Sequence, residues 1–454
     1  MRESTHPVRP GATREGDNHR RMEIGTSLSP VFPLGSRLDE RGVLEVGGCD
    51  ALELAREFGT PAYVVAEDDL RARARTFVGT ARELHPDMHV VFASKAFPCT
   101  AVLSLFAAEG LWCDVATGGE TYLALNAGFA PERLVLHGNA KSEAELRMAL
   151  RHRVGLIVID NLDEIERLGE LIADGALGDR EGGQPVLVRV TPDVRGDTHE
   201  KISTGQADSK FGFSMGEVRD AIARVESTRG LAMQGLHAHI GSQLLELDPF
   251  RRACAQLAGL GEFRVLDVGG GLGVRYLEDQ QAPPAIEDYL AVAVEELAGH
   301  GGRLLVEPGR ALTANAGVTL YTVESVRQNV SRWVAVDGGM SDNLRPMLYG
   351  ARYEAEVVDR FGGSTLCVLA GKHCESGDVI ARDVLLDDPR RGDVIVTPVT
   401  GAYGYAMANN YNGVPRPPVV FCAGGEARTV VRRESFEDLI ARDTDPLRAE
   451  DLGI

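Results

Sequence analysis

The sequence predicts an α/β protein: a (β/α)8 TIM-type barrel followed by a smaller, mainly β domain resembling a β-barrel. Three observations predict it. Eight short β-rich runs alternate with stretches of helical periodicity from residue 89 to residue 309. The runs end in polar or glycine residues, at the face where such a barrel carries its chemistry. After Arg310 the regular helical stretches stop, and strand-like runs follow one another. An open doubly wound sheet is the alternative arrangement of the same βα units.

Residues 1–30 are rich in Arg, Glu, Gly, Pro and His and contain no apolar h-region. They read as a disordered tail rather than a secretory signal, with an extended translation start as the second reading. Residues 31–46 read as short extended segments turning at Gly35 and Gly42. They have no place in a barrel, so they are expected to pair into the β domain. A helix is expected at 50–58, capped by Asp50 and stopped by Gly59. The eight barrel runs are 89–95, 110–117, 133–139, 156–161, 185–192, 233–240, 263–270 and 303–309. Helical stretches lie between them, and the one at 142–152 carries a capping-box pattern, Ser142 with Glu145. The connection 193–214 is longer than the others, and reads either as a cover over the pocket or as a surface insertion. Later strand-like runs are 318–326, 333–337, 365–370, 394–397 and 418–422, and 435–442 reads as a closing helix. The expected division is therefore a tail at 1–30, a segment at 31–60 packing with the β domain, the barrel at 61–310 and the β domain at 311–454.

A chain of 454 residues is too long for one ordinary domain, which agrees with this division. The formal net charge of -19 disfavours nucleic acid and anionic membranes as partners. No apolar run is long enough to span a bilayer. Seven cysteines, an odd number with no Cys-x-x-Cys pair, argue against a zinc site or a disulfide framework. They fit a reducing compartment, and the expected setting is cytoplasmic. No metal is expected.

The run ends supply the chemistry. Lys95 closes His-Val-Val-Phe-Ala-Ser-Lys. Burial at a strand mouth lowers a lysine pKa and frees the neutral amine that a Schiff-base lysine needs. The plainer reading is a strand-end lysine reaching out to water. Asp114, His137, Asn139, Asp160, Arg189, His239 and Asp267 end other runs. Gly269-Gly270-Gly271-Leu272-Gly273 follows run seven, and Glu307-Pro308-Gly309-Arg310 closes run eight. Loops after strands seven and eight commonly bind phosphate in such barrels, and glycine amides can cradle it. A phosphate-bearing aldehyde, pyridoxal 5′-phosphate, suits this set. Glu307 is then placed to serve the ring nitrogen and His239 to lie against the ring. In the second domain Cys374 stands between His373 and Glu375, either a titrating acid or an ordinary buried thiol. Arg310 and Arg345 suit bidentate carboxylate binding, or form surface ion pairs.

These stretches, together with His237 to Gln243, Asp337 to Asn343, Cys374 to Asp378 and Gly401-Ala402-Tyr403, resemble the diaminopimelate decarboxylase family. That family belongs to the pyridoxal-phosphate group sharing a fold with alanine racemase and eukaryotic ornithine decarboxylase. The resemblance implies decarboxylation of meso-2,6-diaminopimelate to L-lysine and CO2, the last step of lysine biosynthesis through diaminopimelate. It implies that Lys95 bonds the cofactor and that His239 stacks on its ring. Ser242, Gly270, Gly271, Gly309 and Arg310 then join the cofactor set, with Glu307 at the ring nitrogen and Asp114 near the lysine. Tyr403 is implied to touch both cofactor and substrate, and Arg310, Arg345, Tyr349 and Glu375 to bind substrate. Cys374 is implied to reprotonate the α-carbon from the partner subunit of a homodimer with shared active sites. Ser94 and the segment 409–417 depart from the family pattern. Other readings are a decarboxylase of ornithine, arginine or carboxynorspermidine, a racemase, or an inactive pyridoxal-binding protein. Lys95 and Cys374 argue against the last.

Overall fold

Short runs of Val, Ile and Leu bounded by glycine and polar residues become parallel strands in the computed structural model, which describes residues 28–192, 194 and 210–444. Eight of them, Met88–Ala93, Trp112–Val115, Leu134–Leu136, Leu156–Ile159, Gln184–Thr191, Leu231–Ala238, Val265–Asp267 and Arg303–Val306, pair in sequence order. The eighth returns to the first, with Leu304 opposite Met88 and Val306 opposite Val90. The ring is closed, which excludes the open doubly wound sheet. The interior is filled by Val91, Trp112, Val135, Leu156, Val158, Leu187, Val265 and Leu305. The barrel is therefore a packed core, and only its mouth is free to bind a ligand.

The predicted helices form where their caps allow. Ala51–Phe58 begins at Asp50, whose Oδ1 accepts from the Leu52 and Glu53 amides at 2.7 and 3.0 Å. Glu143–His152 carries the complete Ser142–Glu145 capping box. The closing helix is Phe436–Ile440, capped by Ser435. The long connection falls mostly outside the described residues; its end, Phe213–Ser214, adds a short parallel strand beside Gln184–Thr191.

The N-terminal expectation needs correcting. Residues 31–46 do not join the second domain's sheet. Leu44–Val46 pairs with Arg37–Leu38 on one side and Cys49–Asp50 on the other in a separate three-stranded sheet. That sheet meets the second domain through two backbone bonds, Leu44 N–H to the Val358 carbonyl at 2.8 Å and Gly425 N–H to the Gly47 carbonyl at 2.9 Å. The segment that enters the large β sheet is Ala62–Ala66, expected in the barrel. It lies antiparallel to Gly317–Gln328 and parallel to Val419–Ala423. All five of its residues are buried, as a central strand requires. The helix Glu67–Leu84, also absent from the sequence reading, then leads into the barrel.

The second sheet has nine strands, with the 12-residue strand Gly317–Gln328 at its centre. Its core is Tyr321, Val323, Val334, Val336, Leu369, Ile380 and Ile395 with their neighbours. No helix among the described residues is long and apolar enough to cross a membrane.

Candidate active site

The first barrel strand ends at Ala93, and Ser94–Ala96 makes one 3-10 turn. That turn aims Lys95 into a cavity of about 810 Å³ at the barrel mouth. The Tyr403 amide donates to the Ala96 carbonyl at 2.8 Å, which brings a residue of the second domain to the same mouth. Tyr403 takes a left-handed backbone, φ +67°, an unusual conformation for a bulky side chain. Asp114, His239, Ser242, Gly271, Glu307, Gly309, Arg310, Arg345, Tyr349 and Tyr403 line the cavity with Lys95. Gly270 lies directly behind Gly271.

The sequence reading expects a lowered pKa at Lys95, and the structure overturns this. Lys95 reaches open space within the cavity, while protein surrounds it on all sides. Desolvation does pull its pKa down, but attraction from Asp114, Tyr403 and Glu307 outweighs it and the net shift is upward. Burial and the neighbouring acids act in opposite directions here, and the acids prevail.

Behind the lysine lies a buried acid–imidazole cluster. Glu307 Oε1 is 2.7 Å from His137 Nε2, and Oε2 is 3.3 Å from His237 Nε2. Neither Glu307 Oε1 nor His137 Nε2 has an aligned hydrogen bond, so their contact is chiefly electrostatic. Burial opposes ionisation of Glu307, yet the two histidines hold its carboxyl well below the usual range. Burial drops His237 to about 4, so it stays neutral and donates to Glu307. Asp114 is pushed up to about 6 by burial, against the pull of His137. Asp267 is pushed well above the carboxylate range by burial and by Glu307, and its Oδ1 accepts from the Gly269 amide at 2.9 Å. The ligand atoms of His137, His237, Asp267 and Glu307 lie within 4.8 Å of one another, a spacing these internal contacts explain.

The glycine run permits close packing of three strand ends. A Cβ on Gly270 would lie 2.1 Å from the Glu307 carbonyl oxygen, so no other residue fits without moving the strand-eight loop. The Gly270 amide donates to His239 Nδ1 at 3.2 Å, which leaves the proton of the neutral ring on Nε2. Burial, aided by the Lys95 charge, holds His239 well below the usual imidazole value.

Arg310 and Arg345 are both buried beside the mouth. They are not the surface ion pairs of the plainer sequence reading. Arg310 Nη2 donates to Ser242 Oγ at 2.9 Å. Arg345 opens the short helix Arg345–Tyr349, which also carries Tyr349 to the cavity. Cys374 and Glu375 are exposed and do not line this chain's cavity, so Cys374 is not an ordinary buried thiol. Their loop is nevertheless held firmly. The buried Asp378 accepts from the His373 and Met340 amides at 2.8 and 2.7 Å. Two cavity tyrosine neighbours, Tyr276 and Tyr353, have no counterpart in the sequence reading. Their only signal is the position of Tyr276 five residues after Gly271 and of Tyr353 eight after Arg345.

Residues 69–314 match the pyridoxal-binding domain of the pyridoxal-dependent decarboxylases. The chain belongs to that family, within its diaminopimelate decarboxylase group. It is 46% identical to the diaminopimelate decarboxylase of Actinosynnema pretiosum subsp. auranticum, covering 91% of this chain and 95% of the relative. It is 44% identical to that of Bacillus subtilis, covering 90% and 97%. The crystal structure of diaminopimelate decarboxylase from M. jannaschii in complex with L-lysine superposes with a TM-score of 0.85 at 31% identity, covering 92% of this chain and 99% of that one. A lysine/ornithine decarboxylase from Vibrio vulnificus, complexed with putrescine, superposes less closely, with a TM-score of 0.68 at 26% identity.

The residues of this family member fit pyridoxal 5′-phosphate. A lysine amine faces the cavity, a glycine-lined wall admits no added Cβ, and an ionised carboxylate is held in the buried floor.

Proposed function

We propose that this chain decarboxylates meso-2,6-diaminopimelate to L-lysine and CO2. One observation carries the reading: a single cavity holds a lysine, an ionised buried glutamate and two buried arginines that have no carboxylate partner among the described residues. Buried cations without counter-ions call for an anionic ligand. Relatives named diaminopimelate decarboxylase, at 46% and 44% identity, support the choice of substrate.

Each side chain has a task in this reading. Lys95 anchors the cofactor, the glycine wall with Gly309 and Arg310 receives its phosphate, and Glu307 holds the charge its ring nitrogen needs. Asp114 lies beside Lys95 and raises the proton affinity of its nitrogen. His239 lies against the ring, its protonation blocked by burial. When bound, pyridoxal phosphate supplies an electron sink for the pair left by departing CO2. Arg310, Arg345 and Tyr349 hold the distal amino-acid end, and Tyr403 closes the mouth. Cys374 and Glu375 of the partner subunit complete the site, Cys374 as the proton donor to the α-carbon. A homodimer with shared sites and a cytoplasmic setting belong to the same proposal. The exposure of Cys374 outside its own cavity supports the first, and seven unpaired cysteines support the second.

The test is formation of L-lysine and CO2 from meso-diaminopimelate, with and without added pyridoxal phosphate. Ornithine and arginine serve as competing substrates. Equal or faster turnover of either would overturn the substrate assignment, and product without CO2 release would overturn the reaction.

A further inference from the structure

Two buried guanidinium groups side by side repel each other, and water does not screen them. Arg310 and Arg345 meet this problem with tyrosine. Arg310 Nη1 donates to the Tyr276 hydroxyl. Arg345 Nη1 donates to the Tyr353 hydroxyl at 2.5 Å. The Arg345 Cζ sits 4.8 Å from the centre of the Tyr276 ring, a cation–π contact. Tyr276 and Tyr353 pack edge to face with centroids 5.4 Å apart, so the two arginine sites form one rigid block. Tyr276 lines the cavity, and the buried Tyr353 packs against Tyr276 without lining it.

We propose that Tyr276 is a positioning and specificity-determining residue. It holds Arg310 and Arg345 as a single receptor for one carboxylate, with Tyr353 bracing Arg345 from behind. The inference rests on the reading of this cavity as an amino-acid decarboxylase site. Among the described residues both arginines lean on tyrosine: Arg345 on the Tyr353 hydroxyl and the Tyr276 ring, and Arg310 on the hydroxyl of Tyr276. Burial alone would raise its phenol, yet the two arginines outweigh this and pull it below the usual value. A substrate carboxylate takes over that role on binding. A substrate without the distal carboxylate cannot, and leaves the arginines with tyrosine alone.

The experiment compares the holoenzyme with its Tyr276→Phe variant on two substrates. meso-Diaminopimelate carries the distal carboxylate and D-lysine lacks it. Expected for Tyr276→Phe is a rise of about 10-fold in KM for meso-diaminopimelate, the loss of one hydrogen bond to a charged group. Its kcat stays within about 3-fold, and kcat/KM for D-lysine is unchanged. Calorimetric binding of L-lysine, whose carboxylate is the distal one, should weaken by about the same 10-fold factor. Tyr353→Phe keeps the cavity-facing hydroxyl and should give a smaller rise in the same KM, a second route if Tyr276→Phe does not fold. Equal losses on both substrates, a fall in kcat with KM unchanged, or unaltered L-lysine affinity in a folded variant would overturn the inference. A wild-type protein that makes no lysine from meso-diaminopimelate overturns the functional reading instead. A folded Tyr276→Phe variant that keeps the wild-type KM for meso-diaminopimelate overturns only the role of Tyr276.

Discussion

His237 shows how much a single residue's environment decides. It is one of two histidines in His-Ala-His, and nothing local distinguishes it from His239. In the fold it is buried beside Glu307 and its pKa falls from 6.5 to about 4. A group with a depressed folded pKa contributes stability that is complete above its unfolded value. That contribution disappears as pH falls through the folded value. Denaturation midpoints of the wild type should therefore drop between pH 6.5 and 4, and His237→Gln should flatten part of that slope. An unchanged slope would mean that other groups govern the acid limb. Lys95 carries the complementary lesson: its sequence neighbours suggest a neutral amine, but the acids across the cavity reverse the sign.

Elements of this barrel are tied to one another by charged side chains at their ends. Glu145 completes its own helix cap and also accepts from the Gly118 amide at 2.9 Å, joining two successive βα units. Ser142→Ala should cost about 1 kcal/mol, the usual value for a lost N-cap. Glu145→Ala should cost more, because two loops lose an acceptor; chemical denaturation of both variants makes the comparison. Lys141 does similar work inside the barrel wall. Its Nζ donates to the Gly138 and Val158 carbonyls at 2.8 and 2.7 Å and to Glu164 at 2.7 Å. Lys141→Ala should destabilise by roughly 3–5 kcal/mol, because Glu164 is left buried and unpaired. Adding Glu164→Gln should restore part of the loss, and no recovery would show that the pair is not coupled.

The whole molecule brings distant segments to one mouth. Tyr403 reaches Lys95's turn from more than 300 residues along the chain, and Ala62–Ala66 stitches the start of the chain into the second sheet. Cys374 and Glu375 remain outside this chain's cavity, and the proposal takes the proton donor from a second copy. Lys95→Ala and Cys374→Ala dimers should each be nearly inactive. After subunit exchange, half of randomly mixed dimers are hybrids, each with one intact site of two, so about a quarter of wild-type activity should return. Exchange without recovery would mean that each site takes both residues from one and the same chain.

The barrel strands were legible because each is a local pattern, an apolar run closed by glycine or a polar residue. The ends of those runs also marked Lys95, Asp114, His239, Glu307 and Arg310, since a barrel exposes its strand ends. The partner of Ala62–Ala66 was not legible, because a buried five-residue run announces a strand without naming its sheet. Tyr276 was equally silent, for a tyrosine in a loop has no periodicity to give it away. By itself, then, the sequence determined the fold class, the order of the strands and the residue types at the mouth. The tertiary structure decided protonation and pairing, because both depend on which charges the fold brings within a few ångströms of each other.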